Sequence, residues 1–482
     1  MTVGVEVTMG DEDDVFDVIV MGAGPVGLTA ARRAARGGLS VALVEERLAG
    51  GECQFYACVP SKALLRPVEL AAEVSRMPGL ELRGPIDTAA VLARRDETVF
   101  DFDDAVLVRL AENYPATLIR GRARLAGPLR VETATRDGGR RSLRARHAVV
   151  VATGSDPAVP DVPGLREARP WSNREATSVR QVPERLVVIG GGPVACEMSQ
   201  ALHALGARET TMLVHGDRLL SRMEPFTGEL LADSLRKSGI DLRFRRLAQR
   251  VERPEPGGPV TVHTDDGQRI EADEILVGIG RDVAVRDIGL ETVGLQPHGP
   301  IKVDRSMRAT GVPGGWLYAV GDVNGRSLLT HMGKYQARVC GDVIAARAKG
   351  LPDNRPSMRD IVDPASSPQI IFTDPQIWMV GCTEARARAE GYPVRVVEYD
   401  LGAIEGAYLQ AEGYTGRAKI VVDEERRVLL GVTFAGPAVV DHLQTATLAV
   451  TAQVPLDQLW HVVPAFPTVS EIWVALLEEY GL

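Results

Sequence analysis

Cysteine is scarce in this chain: there are five residues in 482, with Cys53 and Cys58 close together and Cys196, Cys340 and Cys382 scattered. In a reducing compartment such a close pair is catalytic or metal-binding more often than it is a structural staple. Positive charge is also short. The 55 Lys and Arg against 64 Asp and Glu leave a formal charge of −9 and a pI near 5.6. Phosphate binding needs clustered positive charge, so this balance argues against a nucleic-acid or anionic-membrane surface. Long apolar runs are missing as well. None approaches the roughly 18 residues of a membrane span, and the N-terminal MTVGVEVTMGDEDDVF is acidic where a secretion signal would be basic. The expectation is a cytoplasmic protein whose partners are small molecules, with no nucleic acid and no membrane.

What remains is the composition of a soluble globular protein, 45% apolar and 25% charged. The length allows about three domains. The segment from Asp17 to Glu46 reads as strand, glycine turn, helix and strand, one βαβ unit. A second unit of the same design begins near Glu184 with RLVVIGGGPVACEMSQALHALGA, so the architecture is duplicated. Between them, Thr117 to Gly154 carries short β-type runs broken by Gly, Pro and Asp, which predicts a β-meander closing the first domain. Further on, WLYAVGDVNG precedes a helical stretch from about Leu329 to Lys349, and a Pro-rich linker marks a boundary near 350 to 368. The remainder, from Gln369 to Leu482, alternates strands and helices without a glycine fingerprint and reads as an interface domain.

The first fingerprint is Gly22, Gly24 and Gly27, with Glu45 ending the next strand. Such glycines let the backbone approach a pyrophosphate held at the following helix N-terminus, while the carboxylate accepts from a ribose hydroxyl. The second is Gly190, Gly192 and Ala195, where alanine in the third place loosens helix against strand slightly. Val214 stands at the position matching Glu45. An apolar residue there removes the acid that selects NAD, and His215 and Arg218 follow closely enough to meet a 2′-phosphate. The balance leans to NADPH over NADH, although Glu209 or Asp217 would supply the acid in a shifted register.

The cysteine pair lies in GGECQFYACVPSKALLRP, directly after the first βαβ unit. On a regular helix five residues rise roughly 7.5 Å and turn roughly 140°, which would hold residues 53 and 58 about 8 to 9 Å apart. A disulfide tolerates no more than about 7 Å, so a bonded pair requires this stretch to be distorted. Such a bond suits exchange rather than stapling. Zinc pairs usually have about two to four intervening residues and further Cys or His partners nearby, so no metal site is assigned.

GGECQFYACVPSK, together with GAGPVG, ATGS at Ala152 to Ser155, GIGR at Gly278 to Arg281, AVGDV around Asp322 and FTDPQ at Phe372 to Gln376, resembles the class I pyridine-nucleotide disulfide oxidoreductases. That family includes dihydrolipoamide dehydrogenase, glutathione reductase and mercuric reductase, and the resemblance covers nearly the whole chain. It implies an α/β fold of two nucleotide-binding Rossmann-like three-layer domains plus an α+β C-terminal dimerisation domain. The parts would be residues 1–155 (FAD-binding, first part), 156–283 (NAD(P)-binding), 284–362 (FAD-binding or central, second part) and 363–482 (interface), in a homodimer. It also implies roles. Cys53 would attack the substrate, Cys58 would face the flavin, and Lys62 would lie near the flavin and pair with Glu197. Asp322 would hold the FAD ribitol, with further FAD contacts from Pro25, Gly51, Ala123, Thr153, Gly154 and His331. Glu197 and Gly280 would join the second fingerprint at the NAD(P) site. Positive charge at Lys62 would stabilise a reduced anionic flavin; on residues alone, Lys62 could equally be a surface side chain.

The family's C-terminal segment reads His-Pro-Thr and then Ser-Glu, the His serving as acid and base for the thiols and the Glu orienting it. Here PAFPTVSE keeps Pro467, Thr468, Ser470 and Glu471 but has Phe466 where the histidine belongs. General acid–base help is worth a factor of about 10² to 10⁴, and His461 is the only nearby substitute. Glu52 replaces the family's usual Thr, Phe55 and Tyr56 add bulk between the cysteines, and Pro193 replaces an aromatic residue near the nicotinamide pocket. Mercuric reductases carry a C-terminal cysteine pair that ALLEEYGL lacks. The expected function is an FAD-dependent NAD(P)H oxidoreductase that relays electrons through the Cys53/Cys58 pair to a disulfide-type acceptor. A quinone, diaphorase or metal-ion reductase and a flavin-loaded non-catalytic subunit stay open. A scaffold, however, has no use for a dithiol loop.

Overall fold

In the computed structural model, which describes residues 14–114, 116–135, 138–362 and 366–482, the apolar β-branched run after Asp14 forms the strand Asp14–Met21. Most of the acidic N-terminal stretch falls outside the described residues. The chain divides into two units, one of Met1–Phe55, Phe102–Asp156 and Asp282–Ile361, the other of Tyr56–Asp101, Pro157–Arg281 and Val362–Leu482. No helix among the described residues is long and apolar enough to cross a membrane.

In the first unit Asp14–Met21 is the centre of a parallel sheet. Val41–Glu45 and then Ala116–Leu125 lie on one side, Arg140–Val151 and then Leu317–Ala319 on the other. Successive strand side chains point to opposite faces. Val18 and Val20 accordingly pack with Ala30, Ala34, Ala337 and Val343 of the helices Pro25–Arg36 and Thr330–Ala348. Ile19 and Met21 pack with Val131 and Leu143 on the opposite face. Arg130–Thr135 pairs antiparallel with both Ala116–Leu125 and Arg140–Val151, which is the meander expected between Thr117 and Gly154. Helices, sheet and meander make three layers.

The second unit repeats the plan and adds to it. Arg185–Ile189 is flanked in parallel by Glu274–Val277 and Glu209–Val214, with Asp241–Phe244 outside the latter. One face is covered by helices, to which Leu64, Leu65, Val91 and Leu92 of the helices Cys58–Ser75 and Thr88–Thr98 add their apolar sides. Beneath the other face, Ala248–Glu252, Val260–Thr264 and Arg269–Ala272 form a second meander. The C-terminal part is an antiparallel five-stranded sheet in the order Gln369–Ile371, Gln376–Gly381, Val428–Gly436, Arg417–Asp423, Val394–Asp400. Its core stacks Trp378 on Phe434 at 4.4 Å under the helices Leu443–Thr451 and Ile472–Tyr480. The expected α/β architecture with an α+β C-terminal part is what forms.

Lys419 binds the C-terminal sheet to the nucleotide-binding part of the same unit. Its ammonium, 5% exposed, lies 2.9 Å from Glu224, itself 3% exposed, and 2.8 Å from Glu384. A buried charge stripped of its partner costs about 3 to 5 kcal/mol. Lys419→Ala should therefore lower the thermal midpoint by several degrees, and the paired change Lys419→Met with Glu224→Gln should recover most of it. Calorimetry checks both, and an unchanged midpoint in the single variant would contradict this role.

Candidate active site

The cysteine segment is two helices, not one. Gly51–Phe55 carries Cys53 and Cys58–Ser75 starts at Cys58, with Ala57 between them at φ −141°, ψ −95°. Cys53 and Cys58 are disulfide-bonded, so the distortion expected for a bonded pair is present as a helix break. Cys58 takes the first position of an 18-residue helix, where unpaired N–H groups and the helix dipole favour a negative charge.

Four residues on from Cys58, Lys62 lies on the same helix face. Its Nζ is 2.7 Å from Glu197 Oε2 and 4.8 Å from the centre of the Phe372 ring. The other oxygen of Glu197, on the helix Pro193–Ala204, accepts from the Phe372 backbone N–H at 2.9 Å. The Lys62–Glu197 pairing is thus formed, with Glu197 7% exposed. Phe372 was visible only as the start of the FTDPQ motif. The Asp374 in that motif accepts two bonds from Arg76, and its carbonyl accepts from Gln200 and Ser234.

In the first unit, Gly24 caps the helix Pro25–Arg36 without any side-chain hydrogen bond, no acid stands in the first turn, and a Cβ on Gly24 would meet nothing within 4 Å. This leaves the helix N-terminus open to an anion. Close packing demands glycine at position 27, where a Cβ would come within 1.9 Å of the Gly22 carbonyl. Glu45 Oε2 accepts from the Ala23 N–H at 2.7 Å, so the acid lies beside the glycine turn. Gly51 lies over it, where a Cβ would be 2.7 Å from the Gly24 Cα. Asp322 accepts from Ser155 at 2.5 Å, Thr153 donates to the Ala284 carbonyl, and Gly154 has φ +78°. Ala123 is on the strand Ala116–Leu125 and His331 is exposed near the start of Thr330–Ala348. A bare helix N-terminus, a close glycine turn and a carboxylate at the adjoining strand end fit a dinucleotide. Two supports were not legible in the sequence. Asp104 accepts from the Ala49 N–H at 2.6 Å, and Gln336 accepts from the Gly321 N–H beside Asp322 at 2.9 Å.

In the second unit, Gly192 caps Pro193–Ala204, again without a side-chain bond. Ala195 is fully buried and faces Gly278, where a Cβ would come within 3.1 Å of the alanine. The alanine is accommodated by the glycine opposite it, so helix and strand pack closely where loosening was expected. Gly280 has φ +135°. Val214 is 3% exposed. Glu209 opens the strand that Val214 ends, roughly 16 Å away at strand spacing. Asp217 is 3.7 Å from Arg245. His215 is exposed, Arg218 donates to the Ser221 carbonyl, and the Arg245 N–H donates to the Gly216 carbonyl at 2.9 Å. Arg245, distant in sequence, therefore joins His215 and Arg218 at this loop.

At the C-terminus Phe466 is 73% exposed, and His461 is exposed in the turn that follows Leu456–Leu459. Glu471 ends a short turn of helix, and its Oε2 is buried without a hydrogen-bond partner. The resemblance expects a histidine for this carboxylate to orient, and position 466 holds phenylalanine.

The family described as pyridine nucleotide-disulphide oxidoreductase matches residues 16–342, and its dimerisation domain matches residues 367–477. Among curated relatives, a dihydrolipoyl dehydrogenase of Chlamydia muridarum is 32% identical over 96% of this chain and 96% of its own length. A mercuric reductase of Staphylococcus aureus is 29% identical over 96% of this chain and 82% of its own. Among solved structures, the HOCl-induced flavoprotein disulfide reductase RclA of Escherichia coli superposes with a TM-score of 0.81 at 22% identity, covering 96% of this chain and 99% of that one. LpdA of Mycobacterium tuberculosis does so with 0.81 at 23%, covering 97% and 100%.

Cys196 and Cys340 are fully buried and Cys382 is 8% exposed. Burial pushes the Cys196 and Cys340 thiols far above their ordinary range. Mild alkylation should label no cysteine in the oxidised native protein and two, Cys53 and Cys58, after reduction. Peptide mass mapping checks this, and prompt labelling of any of the other three would contradict it.

Proposed function

Because the chain belongs to the pyridine nucleotide-disulphide oxidoreductase family, we propose that it takes electrons from NADPH and passes them through the Cys53–Cys58 disulfide to a disulfide acceptor. The observation that carries this reading is the bonded pair itself, with Cys58 at a helix N-terminus one turn from the Lys62–Glu197 ion pair. The residues assigned to FAD are Gly22, Gly24, Pro25, Gly27, Glu45, Gly51, Ala123, Thr153, Gly154, Asp322, His331 and Lys62. Bound FAD would supply the two-electron relay between nicotinamide and disulfide. Two electrons and one proton convert the Cys53–Cys58 bond into a thiol and a thiolate. The helix N-terminus supports the thiolate at Cys58, and Cys53, its proton passing to the leaving thiolate of the acceptor, is the nucleophile that attacks. Glu197, held by the Phe372 N–H, keeps Lys62 extended along the Cys58 face.

Phe466 has no proton to give, which favours an acceptor that needs little proton help, such as a disulfide with an acidic leaving thiol. The same absence favours, as a second reading, a quinone or a metal ion. The dimerisation-domain match supports a homodimer. Preference for NADPH is supported by buried Val214 in place of an acid, by Glu209 at the far end of its strand, and by the pairing of Asp217 with Arg245. His215, Arg218 and Arg245 are the residues proposed to meet the 2′-phosphate, with Gly190, Gly192, Ala195 and Gly280 carrying the rest of the nucleotide.

Cys53→Ser should abolish disulfide reduction while NADPH still bleaches the flavin and quinone reduction persists. Full retention of disulfide turnover in that variant would remove the disulfide reading. Loss of a charge-assisted hydrogen bond is worth about tenfold or more, so Arg218→Ala should raise KM for NADPH by that factor and leave KM for NADH nearly unchanged. Equal effects on both nicotinamides would remove the phosphate assignment.

A further inference from the structure

The helix break between the cysteines creates a backbone problem that a distant helix answers. In an unbroken helix the Tyr56 carbonyl would accept from the N–H of residue 60, but residue 60 is proline and has none. Here that carbonyl accepts from Asn173 Nδ2 at 2.8 Å and from Thr177 Oγ1 at 3.0 Å. Both donors are buried, Asn173 at 5% and Thr177 at 1% exposure. They belong to the five-residue helix Asn173–Thr177, which is itself held in place. Ser172 and Glu175 form a capping box at its start, and the buried Arg95 donates to the carbonyls of Thr177 and Val179 at its end. Arg281 NH1 donates to Asn173 Oδ1 at 3.2 Å, which turns the amide so that its NH₂ faces Tyr56.

We propose that Asn173 and Thr177 are positioning residues of the redox loop, holding the turn between the cysteines so that the Cys53–Cys58 bond re-closes readily after each opening. This rests on the reading that the bond is opened and closed in turnover. Satisfying one carbonyl needs one donor, and water serves as well as a side chain. Two buried, pre-oriented side chains on the same oxygen fix its position as well. Reduction adds two electrons and one proton, cleaves the S–S bond and leaves a thiol and a thiolate on a segment no longer tied at its ends. The two bonds to the Tyr56 carbonyl are made by the closed loop, and each conformation the freed loop gains breaks them. They therefore narrow the dithiol ensemble and favour re-closure.

The test equilibrates the full flavoprotein in dithiothreitol redox buffers, where each protein disulfide reduced oxidises one dithiothreitol to its cyclic disulfide. The state of Cys53 and Cys58 is read by alkylation and mass. Asn173→Ala should shift the equilibrium about threefold toward the dithiol, and Asn173→Ala with Thr177→Val about tenfold. Tenfold for this two-electron couple is about 30 mV less negative. Thr177→Ser, which keeps the hydroxyl, should retain the wild-type midpoint. An unchanged midpoint in the alanine and valine variants, whether or not the thermal midpoint falls, would overturn the proposal and leave the two side chains purely structural. If the double variant does not fold, Asn173→Ala alone decides the question. A wild-type pair that no dithiothreitol ratio reduces would instead overturn the redox reading, and the positioning role with it.

Discussion

Cys53 and Cys58 are joined across a stretch that is helical on both sides and not in the middle. A continuous helix would hold five-apart cysteines too far from each other to bond. The break at Tyr56 and Ala57 brings the sulfurs together, and much of the surrounding structure follows from it. It places Cys58 at the start of a new helix, whose unpaired N–H groups favour a thiolate there. Lys62 then falls one turn along the same face. Proline at position 60 has no N–H to offer the Tyr56 carbonyl, which accepts from Asn173 and Thr177.

Charge at the site is held from more than one side. Glu197 binds the Lys62 ammonium through one oxygen and the Phe372 N–H through the other. A carboxylate fixed twice cannot swing with its partner, so the lysine is positioned rather than merely neutralised. Each glycine turn is backed by tertiary contacts in the same way. Glu45 lies against the first, and Gly278 makes room for Ala195 at the second.

The C-terminal segment departs from this pattern of mutual support. Phe466 presents an exposed ring where the resemblance calls for a base, while Glu471 keeps a buried oxygen with no partner. A buried acceptor left unpaired costs free energy that a hydrogen-bonded one does not. Such atoms also occur in the nucleotide-binding parts, where Thr133 Oγ1 and Ser199 Oγ are buried without a partner. The consequence is chemical. In the proposed function, electron entry and disulfide reduction have their residues, whereas proton delivery to the outgoing acceptor has none from the usual position.

Both βαβ units, the first meander, the long helix near residue 340 and the alternation of strands and helices in the C-terminal part were legible from periodicity and glycine placement, because local pattern sets strand and helix regardless of what packs on them. The cysteine pair and the missing histidine were equally plain, since chemistry that depends on residue identity is written in one dimension. Tertiary structure alone decided what lies opposite. Gly278 turned an alanine that should loosen packing into one that fits, Arg245 joined His215 and Arg218 from the turn after the strand Asp241–Phe244, and Asp217 came within 3.7 Å of Arg245. Asn173 and Thr177 reached a carbonyl more than a hundred positions away. The break between Cys53 and Cys58 could be inferred from a bond-length argument, but the groups that hold it could not. Hydrogen bonds between residues remote in sequence leave no periodic trace in the chain, and only folding brings donor to acceptor.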